Sequence, residues 1–323
     1  MTFIDASAGR ADGFTEYLKS QKPVAVHVKC RTNYTRSSTI ASFSSQIEGD
    51  VASTSKAPNT AAEWEVIAQD FQKFWNFPHC MGALDGKHIN FRAARADGST
   101  FFNYKHAHSI ILMALVDANY RFLYYDVGVN GRVNDAGVFR DCSLRAALTS
   151  NRLDVPPGKP LPGRQRDTPY VIVGDDAFPL QPYLMKPYPE RGLSQSQRVF
   201  NYRLSRARRV VENAFGILSN RFRIFLSPIN LSVEKVEKIT LACLALHNFL
   251  RTKKDTSYVC SGLVDEETAD GLLIPGMWRN DPRLHNPLVR QGGNRAHNSA
   301  LVIREEFTNY FNGEGQVPWQ NRV

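Results

Sequence analysis

The centre of the fold is predicted by the stretch Ser109-Ile-Ile-Leu-Met-Ala-Leu-Val-Asp117, which is followed closely by Arg121-Phe-Leu-Tyr-Tyr-Asp-Val-Gly-Val129. Both runs are rich in β-branched and aromatic residues. The residues Asp117-Ala-Asn-Tyr120 between them form a turn, so we expect the two strands to pair as a hairpin. A further strand is predicted upstream, from Met81 to Phe91, with a break around Asp85-Gly86.

Outward from this hairpin, one more strand and several helices complete the pattern. The apolar run from Tyr170 to Gly174 predicts a central, parallel strand, because such strands are buried on both faces. Thr60 and Glu63 form a capping box at a helix start, and Asn134-Asp135 caps a helix that reaches about Leu148. Longer helices are predicted at 195–225, 233–251 and 299–311, and the last 70 residues are otherwise polar and loop-rich. The sequence therefore predicts an α/β fold with a mixed sheet flanked by helices and a helical, loop-rich C-terminal extension.

Composition narrows the class of protein. The chain has 323 residues with 42% hydrophobic content and a net charge of +9, which favours an anionic partner such as nucleic acid. The five cysteines form no CxxC pair, so neither a zinc site nor a disulfide framework is indicated. The first residues lack the pattern of a signal peptide, and the longest apolar run, Ile110–Val116, is too short to span a bilayer. These features predict an intracellular protein without a membrane segment.

The N-terminal part differs from the rest. Residues 31–60 contain twelve Ser or Thr and few large apolar residues, a composition typical of a linker or disordered arm. We therefore expect residues 1–59 to be disordered or poorly structured, without a recognisable helix-turn-helix. Residues 60–323 are expected to form one domain.

Three acidic residues lie in distinctive surroundings. Asp85 precedes Gly86, where a glycine lets backbone approach a ligand, although an Asp before Gly is also common in turns. Asp175 and Asp176 end an apolar strand, the place where ligands bind in open α/β sheets, although an Asp there can also cap a helix. Glu212 lies on an arginine-rich helix, where a surface pair with Arg208 is the alternative. If these carboxylates lie together, they require cations between them, and hard divalent metals are the usual solution.

Other polar residues are candidates for supporting roles. Lys87, Arg208 and Arg209 could hold phosphate groups, and the arginine-rich helix could lie along a phosphate backbone. Asn134-Asp135 could add a metal ligand but fits a helix cap first. Cys243 and His247 have metal-ligand spacing, yet no neighbouring Cys or His completes a site, so a core helix is favoured.

Six motifs together resemble a known family, the PIF/Harbinger class of DDE transposases and the host nucleases derived from them. They occur in the family's order and cover roughly residues 60–323. The motifs are Gly82-Ala-Leu-Asp-Gly-Lys-His88, Val133-Asn-Asp-Ala-Gly-Val-Phe139, Gly174-Asp-Asp-Ala-Phe-Pro-Leu180, Phe200-Asn-Tyr-Arg-Leu-Ser-Arg-Ala-Arg-Arg-Val-Val-Glu-Asn-Ala-Phe-Gly216, Leu246-His-Asn-Phe-Leu250 and Val317-Pro-Trp-Gln320.

This resemblance implies an RNase H-like fold with a DDE triad that binds Mg²⁺ or Mn²⁺. Asp85 matches the first acid, Asp175 rather than Asp176 matches the second, and Glu212 matches the third. The implied activity is hydrolysis of DNA phosphodiester bonds by a metal-dependent nuclease or transposase. The resemblance also implies a nuclear location and a separate Myb/SANT-like DNA-binding partner.

The sequence departs from the family pattern in one respect. Family members carry a helix-turn-helix before the helix that begins near Thr60, and residues 1–59 show none. This departure favours an alternative function, a catalytically silent domesticated transposase that serves as a DNA- or protein-binding scaffold. The presence of all three acids favours the enzyme.

Overall fold

The computed structural model describes residues 58, 60–93, 99–253, 257–268, 270–284 and 297–320. The predicted N-terminal arm thus lies almost entirely outside the described residues. The helices are α1 (Ala61–Trp75), α2 (Asp135–Asp141), α3 (Ser143–Thr149), α4 (Gln195–Arg221), α5 (Val233–Thr252) and α6 (Asn298–Phe311). The strands are β1 (Cys80–Asn90), β2 (Ser109–Val116), β3 (Phe122–Asn130), β4 (Lys159–Pro160), β5 (Asp167–Thr168), β6 (Val171–Val173), β7 (Leu184–Met185), β8 (Glu266–Glu267) and β9 (Leu273–Ile274).

A five-stranded mixed sheet with the order β3-β2-β1-β6-β7 forms the centre of the molecule. The first three strands are antiparallel neighbours, as the predicted hairpin requires. β6 runs parallel to β1, and β7 runs parallel to β6. This order and these directions confirm the RNase H-like α/β fold.

Burial explains why this sheet is the core. Every residue of β2 is buried, as its uninterrupted apolar sequence predicts for a strand covered on both faces. Helices α1 and α4 both pack against β1, and α5 packs against β3. Among the described helices, none combines the length and the apolar character needed to cross a bilayer.

Some predicted elements differ from the structure. The predicted break in β1 is absent, because Asp85 pairs with Ala114 and Gly86 pairs with Met113 in one continuous ladder. The helix predicted to run from Asn134 to Leu148 is two helices, since Cys142 between them is extended, with ψ of 156°. β7 was not predicted from the sequence.

Helix α4 joins the sheet to the C-terminal extension. Its start is fixed by a capping box between Ser194 and Gln197. Three of its arginines are buried against other segments instead of facing solvent. They are Arg203, which donates to the carbonyl oxygens of Asn76 and Gly315 and to Gln320 Oε1, and Arg206 and Arg209, which both pair with Glu267. Protein oxygens already accept hydrogen bonds from these three guanidinium groups, so the prediction of a helix lying along a phosphate backbone rests on the other arginines of α4.

Replacing Arg203 should therefore destabilise the domain. Arg203 is 1% exposed, so Arg203→Met would leave the carbonyl oxygens of Asn76 and Gly315 without this donor and would remove one of the two donors to Gln320 Oε1. We expect this substitution to lower the free energy of unfolding by about 2–4 kcal/mol. Urea denaturation followed by circular dichroism measures the change. Arg198→Met is the matched control, because Arg198 lies on the same helix and is exposed. Equal stability of the two variants would contradict the docking role of Arg203.

Candidate metal centre

Sheet pairing places Asp85 beside Asp175. In the parallel pair of β1 and β6, Ala83 is opposite Val173. Asp85 lies two residues after Ala83, and Asp175 lies two residues after Val173. Side chains two residues apart point to the same face of a strand, so the two carboxylates emerge together. Backbone donors orient them: Gly86 N–H donates to Asp85 Oδ1 at 2.8 Å, and Ala177 N–H donates to Asp175 Oδ1 at 3.0 Å.

Asp135 is the third carboxylate of this group. It occupies the first turn of α2, while its neighbour Asn134 caps the helix by accepting from Gly137 N–H at 2.7 Å. One oxygen from each of Asp85, Asp135 and Asp175 lies within 4.8 Å of the others. We call these three residues the acidic cluster. Asn134-Asp135 had two interpretations, a helix cap and a metal ligand. Asn134 is the cap, and Asp135 lies where a metal ligand would be expected.

Gly86 allows the carboxylate of Asp135 to lie close to β1. A Cβ atom on Gly86 would lie 2.2 Å from Asp135 Oδ1, far inside van der Waals contact. The glycine after Asp85 was expected to admit a ligand to the backbone. In the structure it admits the carboxylate of Asp135.

Burial and mutual repulsion disfavour the ionised forms of the acidic cluster. Burial raises the pKa of Asp85 well above its usual range, and the Asp175 charge raises it further. Burial, followed by the Asp175 charge, raises the pKa of Asp135 to about 6. Burial also raises the pKa of Asp175, although Arg208 and the Ala177 N–H oppose this. A hard divalent cation prefers oxygen ligands of this kind and would relieve the repulsion, so the donor set fits such an ion.

Glu212 lies next to the cluster but outside it. Its Oε1 accepts from Arg208 Nη2 at 2.7 Å, and its Oε2 accepts from Arg279 Nη2 at 2.9 Å. Arg208 Nη1 lies 3.9 Å from Asp85 Oδ2, so one guanidinium group stands between Glu212 and Asp85. The structure brings Asp85 and Asp175 together and holds Glu212 beyond Arg208.

The three residues predicted to hold phosphate have different surroundings. Arg208 lies at the cluster, and its Nη1 is buried without a hydrogen-bond partner. Lys87 is half-buried on β1, and burial followed by the Lys105 charge lowers its pKa to about 8, so it is still mostly protonated at neutral pH. Arg209 Nη1 donates to Glu267 Oε1 at 2.7 Å, and Glu267 also pairs with Arg206, so Arg209 is already engaged in an ion pair within the protein.

Sequence reasoning missed Arg279 entirely. Its guanidinium binds Asp265 as well as Glu212 and stacks 4.3 Å from the centroid of the Trp278 ring. Arg279 is 67 residues beyond Glu212, in a loop-rich region without periodicity. No local pattern could have identified it.

The crowding in the acidic cluster predicts a stabilising substitution. Between its ordinary pKa near 3.8 and about 6, Asp135 keeps a proton in the folded protein that the unfolded chain has lost. Its contribution to stability is therefore present below the ordinary pKa and is lost as pH rises through about 6. In metal-free buffer, Asp135→Asn should raise the free energy of unfolding by about 2–3 kcal/mol at neutral pH.

The pH dependence provides the control. Thermal unfolding of both proteins in EDTA should show the full gain above pH of about 6. It should show almost no difference well below the ordinary pKa near 3.8, where Asp135 is protonated in both states. An equal gain at both extremes would mean that repulsion in the cluster is not its cause.

Comparisons with known proteins agree with this architecture. Residues 84–248, just over half of the chain, match a family profile described as DDE superfamily endonuclease. A protein of Arabidopsis thaliana named Protein ALP1-like is 31% identical over 194 residues, which cover 58% of this chain and 47% of that protein. The human protein named Putative nuclease HARBI1 is 26% identical over 196 residues, 59% of this chain and 51% of that protein.

A second Arabidopsis thaliana protein, named Antagonist of like heterochromatin protein 1, is 28% identical over 195 residues, 58% of this chain and 47% of that protein. The chain spans about half the length of these curated relatives. No solved structure matches it significantly. Because the matched region carries all four acids described above, in an RNase H-like sheet, the chain belongs to the DDE superfamily endonucleases of the Harbinger type.

Proposed function

We propose that this protein is a divalent-metal-dependent DNA endonuclease of the transposase type, with its reaction centre at the acidic cluster. The observation that carries the proposal is the approach of one oxygen from each of Asp85, Asp135 and Asp175 to within 4.8 Å of the others. Membership of the DDE endonucleases supports DNA as the substrate. Crowded carboxylates destabilise a folded protein, and acids with such perturbed pKa values are concentrated at functional sites.

Mg²⁺ or Mn²⁺ is the proposed cofactor, because both prefer carboxylate oxygens. Asp85 and Asp175 would hold it, with Asp135 as a further ligand. When bound, such an ion lowers the pKa of a coordinated water and stabilises the leaving 3′ oxygen of a phosphodiester.

Arg208 and Lys87 would bind the phosphate. The unpartnered Nη1 of Arg208 is a buried donor next to Asp85, and a phosphate oxygen is the acceptor that this charge-assisted bond favours. Lys87 supplies a second positive charge on the same strand as Asp85. Arg209 is left out of this role, since Glu267 is already its partner.

Glu212 is proposed as the third acid of the DDE triad. Two arginines share its carboxylate, so both of its oxygens already accept charge-assisted hydrogen bonds. A phosphate that engaged Arg208 would compete with Glu212 for the guanidinium group and leave Glu212 Oε1 available to the cluster. In this proposal, substrate binding and assembly of the triad occur together.

Neighbouring aspartates allow a sharp test. Asp85→Asn and Asp175→Asn should each lower the rate of Mn²⁺-dependent plasmid nicking by about a hundredfold or more, because loss of a ligand costs at least as much as loss of a residue that orients one. Asp176→Asn is the matched control, since Asp176 follows Asp175 directly but is not part of the cluster.

Fluorescence anisotropy with labelled DNA should show that all three variants still bind it. Undiminished nicking by Asp85→Asn, or an equal loss in Asp176→Asn, would refute the assignment.

The double ion pair of Glu212 favours one other function, a scaffold that binds DNA or protein without cleavage. Arginines that neutralise an acid reduce its value as a metal ligand. Calorimetric titration with Mn²⁺ distinguishes the two functions: the enzyme should bind the ion at the acidic cluster and lose that binding in Asp85→Asn. A scaffold should show no binding that depends on Asp85.

We also propose a nuclear location and a Myb/SANT-like DNA-binding partner, as the family resemblance implies. Imaging of a fluorescent fusion, with and without candidate partners of this class, is the test. Exclusion from the nucleus under both conditions would contradict the proposal.

A further inference from the structure

Two partly exposed aromatic rings lie on the loop that precedes β2. Phe102 is 40% exposed and Tyr104 is 48% exposed. Single exposed aromatic residues are ordinary on protein surfaces. Tyr104 is distinguished by its neighbours, since the charges of Asp135, Asp85 and Asp175 all contribute, after partial burial, to raising the pKa of its hydroxyl group. Its hydroxyl group is therefore within electrostatic range of the acidic cluster, and its ring contacts His88, which lies on the same strand as Asp85.

The loop is held in one shape. The buried side chain of Asn103 accepts from the N–H groups of Lys105 at 2.9 Å and Ala107 at 3.1 Å, and it donates to Ser109 Oγ at 2.7 Å. The backbone closes the same turn, because Asn103 N–H donates to the Ala107 carbonyl at 2.8 Å. A ring presented on such a turn loses little freedom when a ligand stacks on it, which favours binding.

A positive charge accompanies the ring. Lys105 Nζ lies 5.2 Å from the centroid of the Tyr104 ring, and the Lys105 charge is close enough to Lys87 to lower the pKa of that residue. The ring of His88 packs edge-on against Tyr104, with centroids 5.5 Å apart and planes at 75°. An aromatic ring with a lysine next to it is the arrangement that proteins use to bind an unpaired base and its phosphate.

We propose that Tyr104 and Lys105 form a binding site for one unpaired nucleotide next to the phosphodiester at the acidic cluster, with the base stacked on Tyr104 and the phosphate paired with Lys105. Bases inside a duplex are already stacked on both faces, so only an unpaired or extruded base can reach the ring. The inference rests on the proposed function and narrows its substrate to DNA with unpaired nucleotides beside the cleavage point, such as single-stranded extensions or gaps.

The test uses the full chain and a duplex with a short single-stranded extension that carries 2-aminopurine at its first unpaired position. Ca²⁺ replaces Mg²⁺ so that the DNA is bound without being cut. Stacking should quench the fluorescence of 2-aminopurine with the unaltered protein and with Tyr104→Phe, which keeps the ring. Tyr104→Ala should abolish the quenching and raise the Kd for this probe about tenfold to a hundredfold, while the Kd for a blunt duplex stays unchanged.

Phe74→Ala is the matched control. Phe74 is 46% exposed on α1, and Lys73 Nζ lies 5.1 Å from its ring centroid, so it has the same chemistry at another place. Its loss should leave the quenching intact. The inference is overturned if Tyr104→Ala binds the extended probe as tightly as the unaltered protein, or if it weakens both probes equally.

Cleavage in Mg²⁺ is measured in parallel on the same DNA. If the quenching depends on Tyr104 but the protein never cuts the DNA, the proposed nuclease activity is contradicted and the nucleotide site is supported. Cutting that Tyr104→Ala does not alter, together with unchanged quenching, would sink only the nucleotide site.

Discussion

Repulsion among three crowded carboxylates, two of them buried, is the constraint on which the rest of this structure depends. Strand pairing sets Asp85 beside Asp175, and α2 adds Asp135. Neither of the first two can turn toward solvent, because they are 6% and 5% exposed. Arg208 offsets only part of the repulsion, since the pKa values of all three acids stay raised. A rigid sheet can impose this crowding because many ladder hydrogen bonds would have to break before the acids could separate, and proteins accept such a loss of stability where charge serves activity.

Helix α4 connects this centre to the remainder of the molecule through two sets of arginines. Arg208 faces the acids, whereas Arg203, Arg206 and Arg209 bind oxygens of other segments, largely in the C-terminal extension. One arginine of this helix thus faces the acidic cluster and others hold the C-terminal extension in place, a difference that the net charge does not reveal. The overall charge of +9 overstates the positive surface available to DNA, since it includes the buried charge of Arg203, whose partners are neutral oxygens.

Local signals in the sequence predicted most of the sheet, and the family resemblance implied that Asp85 and Asp175 lie close together. Apolar runs specify strands, and two acids that lie on or directly follow neighbouring parallel strands must lie close together. The sequence did not predict β7, because a strand of two residues depends on its partner β6 and has no pattern of its own. The sequence could not show which of Asn134 and Asp135 caps the helix and which could bind a metal, since that depends on how α2 is placed against β1. The partners of the buried arginines lie 58 to 132 residues away along the chain, beyond the range of any periodicity.

The family match ends at residue 248, but one of the two ion pairs of Glu212 is made by a residue beyond that boundary. Arg279 reaches it from downstream, and the neighbouring Trp278 fills the space over Gly216, where a Cβ atom would lie 2.3 Å from the indole. A shortened protein cut at the family boundary would therefore lose one of the two counter-ions of Glu212 and expose a face of α4. Measurements on such a fragment would describe a Glu212 carboxylate with fewer positive charges around it than the whole chain provides.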